Sequence, residues 1–314
     1  MKELALAGNP NSGKTSLFNL LTGSRQHVGN WPGVTVEKKS GLFRKNKDII
    51  IQDLPGIYSL SPYTSEEAIS RNYLLSGNAD GILDVVDATN LERNLYLSLQ
   101  LIETGIPVVL ALNMSDVVEK QGKWIDTTKL SYQLGVPVVA TSALKKTGID
   151  QVMQKVLREM ERTDETLYPV YDSHFEAALS EIIRILGNAV PQKQARFYAI
   201  KLFERDKELS EQLVLSDFQK AEIEDAIRIT EEIYTEDAET IVVNARYEFI
   251  ESAVKMALQA DVTKLSLSDK IDRIVTNRYL ALPIFAVVMW LVYFFSIQTI
   301  GKMGTDWAND VLFG

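Results

Sequence analysis

The first half of the chain alternates short apolar runs with amphipathic stretches. The apolar runs, each short enough to be a buried strand, are residues 4–7, 49–51, 81–87, 108–112 and 138–140. Stretches with helical spacing, such as 91–104 and 127–134, lie between them. This alternation predicts βαβ units and a mixed, mostly parallel sheet over residues 1–165. Segments 36–43 and 48–52 predict an antiparallel hairpin at the sheet edge.

Helical periodicity replaces this alternation from residue 168 to about 262. Gly187 is the only glycine in that part of the sequence. The amphipathic stretches are residues 173–186, 194–204, 217–234 and 236–258. They predict a small all-α domain, which we expect to pack on the first domain. The charged run 204–208 is predicted to be a solvated helix end.

The last apolar run is the longest. Residues 280–300 contain no charged side chain over 21 positions, which as a helix would extend about 31 Å and cross a ~30 Å hydrocarbon core. Three positive residues precede it: Lys270, Arg273 and Arg278. We therefore predict one transmembrane helix, with the preceding domains in the cytoplasm, over the alternative of a buried core helix. Residues 266–279 would be an amphipathic linker and 301–314 the start of a missing membrane domain, so the chain is expected to be a fragment.

Composition narrows the class of partner. The 314 residues carry a net charge of −9, with a pI near 5.0 and no basic tract, which disfavours a nucleic-acid partner. There is no cysteine, so disulfides and thiolate metal sites are excluded. The two histidines, His27 and His174, belong to no ligand motif and are interpreted as surface residues.

Residues 8–15, with the sequence GNPNSGKT, follow the first apolar run and precede an apolar stretch of helical type. Their spacing is G-x-x-x-x-G-K-T, in a strand–loop–helix context. Such a loop surrounds phosphates with backbone N–H groups at the positive end of a helix. Lys14 would contact the β- and γ-phosphates, and the Thr15 hydroxyl would bind Mg²⁺.

Three later segments indicate the base and the second half of the phosphate site. Residues 53–56 have the form D-x-x-G, which places Asp53 near Mg²⁺ and the Gly56 N–H near a γ-phosphate. Residues 113–116 have the form N-x-x-D, and Asp116 could accept hydrogen bonds from N1–H and the N2 amino group of guanine. Residues 142–144 follow, where the Ala143 N–H could donate to guanine O6. All lie after predicted strands, where α/β sheets bind ligands.

Together these motifs predict a Ras-like GTP-binding domain that binds GTP and GDP. Thr35 is assigned as the first-switch threonine, contacting Mg²⁺ and the γ-phosphate. We assign the nucleotide-binding residues as Gly8, Asn9, Pro10, Asn11, Ser12, Gly13, Lys14, Thr15, Ser16, Gly33, Val34, Thr35, Asp53, Pro55, Gly56, Asn113, Met114, Asp116, Ser142, Ala143 and Leu144. The catalytic residues are Asn11, Lys14, Thr35 and Gly56, and the Mg²⁺ ligands are Thr15, Thr35 and Asp53.

Two positions depart from the common GTPase pattern. Ile57 stands where Ras-type enzymes have a glutamine that orients water, so hydrolysis should be slow or use another group. Met114 replaces the usual lysine, which predicts micromolar affinity and GDP release without an exchange factor. The Asn11 side chain could instead help to bind K⁺ near the phosphates, with backbone carbonyls of Gly29 and Trp31 completing the site.

Residues 8–15, 29–37 (GNWPGVTVE), 53–60 (DLPGIYSL) and 113–116 together resemble the FeoB family of bacterial ferrous-iron transporters. The resemblance implies a GTPase domain, a helical domain at 168–262 that influences GDP binding, and a membrane domain that moves Fe²⁺ across the inner membrane. It implies the K⁺ role of Asn11 as well. Expected partners are the lipid bilayer, the rest of the transporter, small accessory proteins and a second copy of the chain.

Two other functions stay open from the sequence. One is a membrane-tethered switch that binds GTP and scarcely hydrolyses it, which Ile57 would allow. The other is a ribosome- or RNA-associated GTPase, which predicts a basic RNA-binding domain and a lysine at the Met114 position. The sequence has neither feature.

Overall fold

The computed structural model describes residues 1–23, 26–31, 34–61, 63–162, 167–260, 275, 277 and 280–301. Met1–Ala260 form one compact unit, and a second unit begins at Asp261. The first unit contains a sheet with helices on both faces and a helical bundle that follows it in the chain.

The strands of the main sheet lie in the order β2-β3-β4-β1-β5-β6-β8. Their bounds are β1 Lys2–Gly8, β2 Gln26–Asn30, β3 Glu37–Leu42, β4 Ile49–Asp53, β5 Gly81–Asp87, β6 Val108–Asn113 and β8 Val138–Ala140. Strands β2, β3 and β4 pair antiparallel, and the pairings from β4 to β8 are parallel. The predicted mixed, mostly parallel sheet is therefore confirmed, and the predicted hairpin is β3–β4. It is not at the sheet edge, because β2, which was not predicted, is the edge strand.

Helices cover both faces of this sheet. They are α1 Lys14–Thr22, α2 Ser65–Leu75, α3 Leu91–Glu103, α4 Ser115–Lys120, α5 Thr127–Leu134 and α6 Ile149–Glu159. Successive β1 residues face opposite sides, so that Leu4 and Leu6 pack with α1 and α6 residues while Ala5 and Ala7 pack with α3 residues. Burial on both faces explains why the parallel strands appear in the sequence as continuous apolar runs.

The helical bundle has a core of its own. Its helices are α7 Ser173–Leu186, α8 Ala195–Phe203, α9 Lys207–Gln212, α10 Asp217–Tyr234 and α11 Ala238–Ala257. Four of them lie within one or two residues of the predicted stretches, and the Ser216 side chain caps α10 in a capping box with Gln219. Helix α11 also packs on α3 and α5, and β9 (Leu258–Ala260) pairs with β7 (Lys123–Ile125). The bundle is thus joined to the sheet domain along α11.

The charged run 204–208 is only partly the solvated helix end that the sequence suggested: Arg205, Lys207 and Glu208 are exposed, whereas Glu204 and Asp206 are half-buried. Arg71, on α2, has a fully buried side chain and pairs with Asp206 at 3.1 Å and with Glu208. Glu204 pairs with Lys201 at 2.6 Å and with Arg246 at 2.9 Å. The prediction thus holds for three of the five residues and fails for Glu204 and Asp206, because charged side chains can be buried where opposite charges of another element meet them.

The apolar segment near the end is helical from Ala281 to Gly301. An α-helix, α12, runs Ala281–Tyr293 and is followed by a π-helix, Phe294–Gly301, so the hydrogen-bond pattern changes within the segment. The 13 residues of α12 extend only about 20 Å. Within the described part of the chain, no helix is both long and apolar enough to cross a membrane. The transmembrane helix over 280–300 stays a prediction, and most of the linker 266–279 and of 301–314 lies outside the described residues.

Candidate nucleotide-binding site

The glycine-rich loop connects the end of β1 to the start of α1. Gly13 has a positive φ of 89°, and a Cβ atom there would lie 2.1 Å from Nδ2 of Asn113. Glycine is therefore required both by the backbone conformation and by the close approach of Asn113. Asn9 and Ser12 are buried, and Nδ2 of Asn9 and Oγ of Ser12 have no hydrogen-bond partner among the described residues. Such unpaired polar atoms suit a loop that binds phosphate.

Parallel pairing of β1 with β4 brings the lysine of the loop to the D-x-x-G segment. Lys14 Nζ lies 3.2 Å from Asp53 Oδ1 and also donates to the carbonyl of Leu54. Burial lowers the pKa of the Lys14 ammonium and raises the pKa of the Asp53 carboxyl, and their pairing opposes both shifts. Lys14 thus contacts a carboxylate that we expect to face Mg²⁺.

Asn113 connects three loops of the site. Its Nδ2 donates to the Ser12 carbonyl at 2.8 Å, and its Oδ1 accepts from the Ala143 N–H at 2.9 Å. The glycine-rich loop, the end of β6 and residues 142–144 are therefore held together. The Ala143 N–H, which was assigned from the sequence to guanine O6, donates to Asn113 in this structure. The side chain of Asn113 stabilises these loops rather than pointing freely towards a base.

Asp116 lies at the end of this arrangement where the guanine base is expected to bind. The Ser142 hydroxyl hydrogen-bonds to Asp116, and this bond together with Lys145 keeps the pKa of Asp116 below its usual value. Lys145 Nζ is 3.4 Å from Asp116 Oδ2. Sequence reasoning missed Lys145, whose only signal was its position after residues 142–144. Leu144 is 88% exposed, so its side chain contributes little to a buried site.

The first-switch residues follow or lie in β2, towards the opposite edge of the sheet from β6 and Asp116. Gly29 lies in β2, opposite Lys38 of β3. Trp31 is buried, packs edge-on against Tyr73 with 5.5 Å between ring centroids, and its carbonyl accepts from the Val34 N–H at 3.3 Å. Thr35 is exposed in the bend that follows. Gly33, also predicted to bind nucleotide, falls outside the described residues.

The second-switch loop, which follows β4 and includes residues 54–61, lies against the glycine-rich loop. A Cβ atom on Gly56 would be 3.3 Å from the Cα of Pro10, so the two backbones are in close contact. Ile57 is only 2% exposed and packs with the core. Its side chain cannot orient a water molecule, so this position supplies no counterpart of the usual glutamine.

Several assigned residues line the open side of the site. Asn11 is exposed and has a positive φ of 65°. Thr15 and Ser16, at the N-terminal end of α1, are exposed as well, and Pro10 and Pro55 lie where the two loops meet. A phosphate chain could therefore approach the loop and the N-terminus of α1 from solvent.

The fold and this set of loops define a P-loop GTPase domain. A family model described as ferrous iron transport protein B matches residues 2–156, and a second, the FeoB cytosolic helical domain, matches residues 171–259. The chain belongs to the FeoB family.

Solved structures agree with this assignment. A GDP-bound mutant of the S. thermophilus FeoB G-domain is 65% identical, has a TM-score of 0.81, and covers 82% of this chain with all of its own. The S. thermophilus NFeoB bound to mGMPPNP is 66% identical, has a TM-score of 0.75, and covers 82% of this chain with 97% of its own.

Longer relatives extend beyond the chain. The Fe(2+) transporter FeoB of Escherichia coli K12 is 38% identical over 96% of this chain and 40% of the relative. A Fe(2+) transport protein A/Fe(2+) transporter FeoB fusion protein of Porphyromonas gingivalis is 42% identical over 98% of this chain and 38% of the relative. The chain thus spans about two fifths of the length of these relatives.

Proposed function

We propose that this chain is the GTP-binding and GTP-hydrolysing module of a ferrous-iron uptake transporter. The observation that carries the proposal is the way in which Asn113 joins the glycine-rich loop to Ala143, next to Asp116. The Asp116 carboxylate beside this junction could accept from N1–H and the N2 amino group of guanine, a pair of donors that adenine lacks. Relatives described as GDP-bound or as Fe(2+) transporters support the proposal.

Phosphate binding requires Lys14 to change partner. In the structure its ammonium pairs with Asp53, whereas a bound nucleotide would offer phosphate oxygens to the same group. Asp53, released from Lys14, and the exposed Thr15 hydroxyl provide the oxygen ligands that suit Mg²⁺. When bound, Mg²⁺ would neutralise charge on the β- and γ-phosphates. Thr35 would reach the same region when the first-switch segment closes.

We also propose that K⁺ assists hydrolysis. The exposed Asn11 has a side-chain oxygen that is a suitable K⁺ ligand, and the carbonyls of Gly29 and Trp31 are the other proposed ligands. The Trp31 carbonyl accepts from Val34 here, so the first-switch segment would have to rearrange. When bound, K⁺ would supply the positive charge that an arginine finger supplies in other GTPases.

The helical bundle is proposed to respond to the bound nucleotide. Lys201 of α8 lies 3.3 Å from Ser61 Oγ in the second-switch loop and 2.6 Å from Glu204. Glu204 pairs with Arg246 of α11, and Arg246 pairs with Glu103 of α3 at 2.8 Å. A movement at Ser61 would thus change a continuous set of charged contacts. Equal hydrogen exchange of α8 and α11 with GDP and with a GTP analogue would contradict this.

The whole transporter is proposed to work at the bacterial inner or plasma membrane, with the GTPase domain in the cytoplasm. Its partners would be the remaining membrane domain and small iron-uptake accessory proteins. The fusion of a Fe(2+) transport protein A to the Porphyromonas gingivalis relative supports a partner of that kind. Self-association of the chain is a further proposal.

The test of this function is phosphate release from GTP in K⁺ and in Na⁺, with the wild-type chain and with Asn11→Ala. We expect stimulation by K⁺ that the variant loses. Equal rates of GTP turnover in the two salts would refute the K⁺ mechanism. Binding without any turnover would favour the alternative, a GTP-binding switch, which the buried Ile57 allows.

A further inference from the structure

Gln100 of α3 forms hydrogen bonds to the second-switch loop. Oε1 of Gln100 accepts hydrogen bonds from the Leu60 N–H at 2.6 Å and from the Ser59 hydroxyl at 3.2 Å. The Ser59 oxygen in turn accepts from the Ser61 N–H at 3.0 Å. Because a backbone N–H can only donate, the oxygen of the Gln100 amide must face Leu60.

The position of Gln100 is unusual for a polar side chain. It is only 1% exposed, and its helical neighbours Leu97, Leu99 and Leu101 are fully buried apolar residues. Its Nε2 atom has no hydrogen-bond partner among the residues described. Burying an amide with an unpaired donor is unfavourable, so an apolar side chain would serve the core better. The glutamine is therefore explained by its contacts with the loop.

These contacts fix one end of the segment that senses phosphate. Residues 54–63 connect β4 to Thr64, the N-cap of α2. Leu60 is fully buried, and Gly56, four residues earlier, lies against Pro10 of the glycine-rich loop. Because Leu60 is hydrogen-bonded to α3, only the four residues from Gly56 to Ser59 separate the Gly56 peptide from a fixed point. The displacement of the Gly56 N–H is therefore restricted.

We propose that Gln100 is a positioning residue for GTP. By fixing Leu60, it keeps the Gly56 N–H within reach of a γ-phosphate, and it does not touch the nucleotide itself. The inference rests on the proposed GTPase function and assigns a role to a residue outside the nucleotide-binding motifs. GDP lacks a γ-phosphate, so its affinity should depend little on Gln100.

The test compares Gln100→Leu with the wild-type full chain. We expect the affinity for a non-hydrolysable GTP analogue and the kcat for GTP each to fall about tenfold, the effect of one or two lost hydrogen bonds to a buried group. GDP affinity should change less than about twofold, because GDP has no γ-phosphate for the Gly56 N–H to contact. Amide hydrogen exchange at Leu60 should become faster.

Two further variants separate positioning from general stability. Gln100→Glu keeps the acceptor oxygen and should retain the wild-type ratio of GTP-analogue to GDP affinity. Ser98→Ala removes another buried hydrogen bond of α3, to Asp84 on the sheet, and should leave that ratio unchanged.

An unchanged affinity ratio in Gln100→Leu, with only a lower melting temperature, would overturn the proposal. A ratio that falls equally in Ser98→Ala would also overturn it, since general loosening of α3 would then be the cause. Failure of the proposed function would be distinguishable, because the wild-type chain would then bind neither nucleotide.

Discussion

Replacing Arg246 by methionine tests whether the buried charges stabilise the contact between the bundle and the sheet domain. The Arg246 side chain is 1% exposed, with donors 2.8 Å and 3.2 Å from the two carboxylate oxygens of Glu103 and 2.9 Å from Glu204. Burial alone would lower the pKa of Arg246, but Glu103 and Glu204 outweigh it and raise that pKa. The guanidinium is therefore charged in the folded protein.

The variant would leave Glu103, whose side chain is fully buried, without its cation. Removing one partner of a buried pair costs about 3–5 kcal/mol, a large part of the roughly 5–15 kcal/mol that stabilises a typical domain. Urea unfolding followed by circular dichroism measures this difference. Arg228→Met, at an exposed pair on α10, is the matched control and should change the free energy of unfolding very little.

A second variant identifies the cause of the loss. Adding Glu103→Gln to Arg246→Met removes the unpaired carboxylate, so part of the lost stability should return. A fall in the free energy of unfolding of less than about 1 kcal/mol in Arg246→Met would refute the reasoning, because a buried carboxylate that loses its cation should destabilise the fold by more than that. No recovery in the double variant would show that lost packing, and not charge, is the cause.

Three further substitutions probe single groups. Burial raises the pKa of Asp84 from 3.8 to about 7 although the Ser98 hydroxyl donates to it, so folding loses stability as the pH rises through that interval. Asp84→Asn should therefore raise the free energy of unfolding at pH 8 by up to about 4 kcal/mol and change it little at pH 4. Equal effects at both pH values in urea titrations would contradict this. Asp116→Asn should weaken GDP binding about a hundredfold and favour xanthosine diphosphate, and unchanged GDP binding in a calorimeter would exclude Asp116 as the base contact. Gly13→Ala places a methyl group 2.1 Å from Asn113 Nδ2 and should abolish binding of a fluorescent GDP analogue, whereas wild-type binding would show that the loop can move aside.

The phosphate and base loops could be predicted from the sequence because their function depends on backbone geometry. Gly13 and Asn113 occur in motifs whose spacing fixes which loops meet, and the structure brings them together. The βαβ pattern likewise predicted a mostly parallel sheet, although not the order of its strands.

Contacts between elements distant in sequence could not be predicted in this way. Gln100 resembles any polar residue of an amphipathic helix, and only its burial beneath Leu60 distinguishes it. Lys145 and Asp206 are charged residues, and from sequence alone such residues are expected at the surface without specific partners. Their partners, Asp116 and Arg71, are brought to them by the fold. The edge strand β2 has mostly exposed residues, so its sequence lacks the apolar alternation that predicts strands.

The most direct test of the central claim is phosphate release from GTP and from ATP by the chain, with Lys14→Ala as the inactive control. The account predicts slow turnover of GTP, little or none of ATP, and loss of GTP turnover in the variant, since Lys14 is the lysine of the proposed phosphate-binding loop. Equal turnover of ATP and GTP, or GTP turnover that survives in Lys14→Ala, would contradict it.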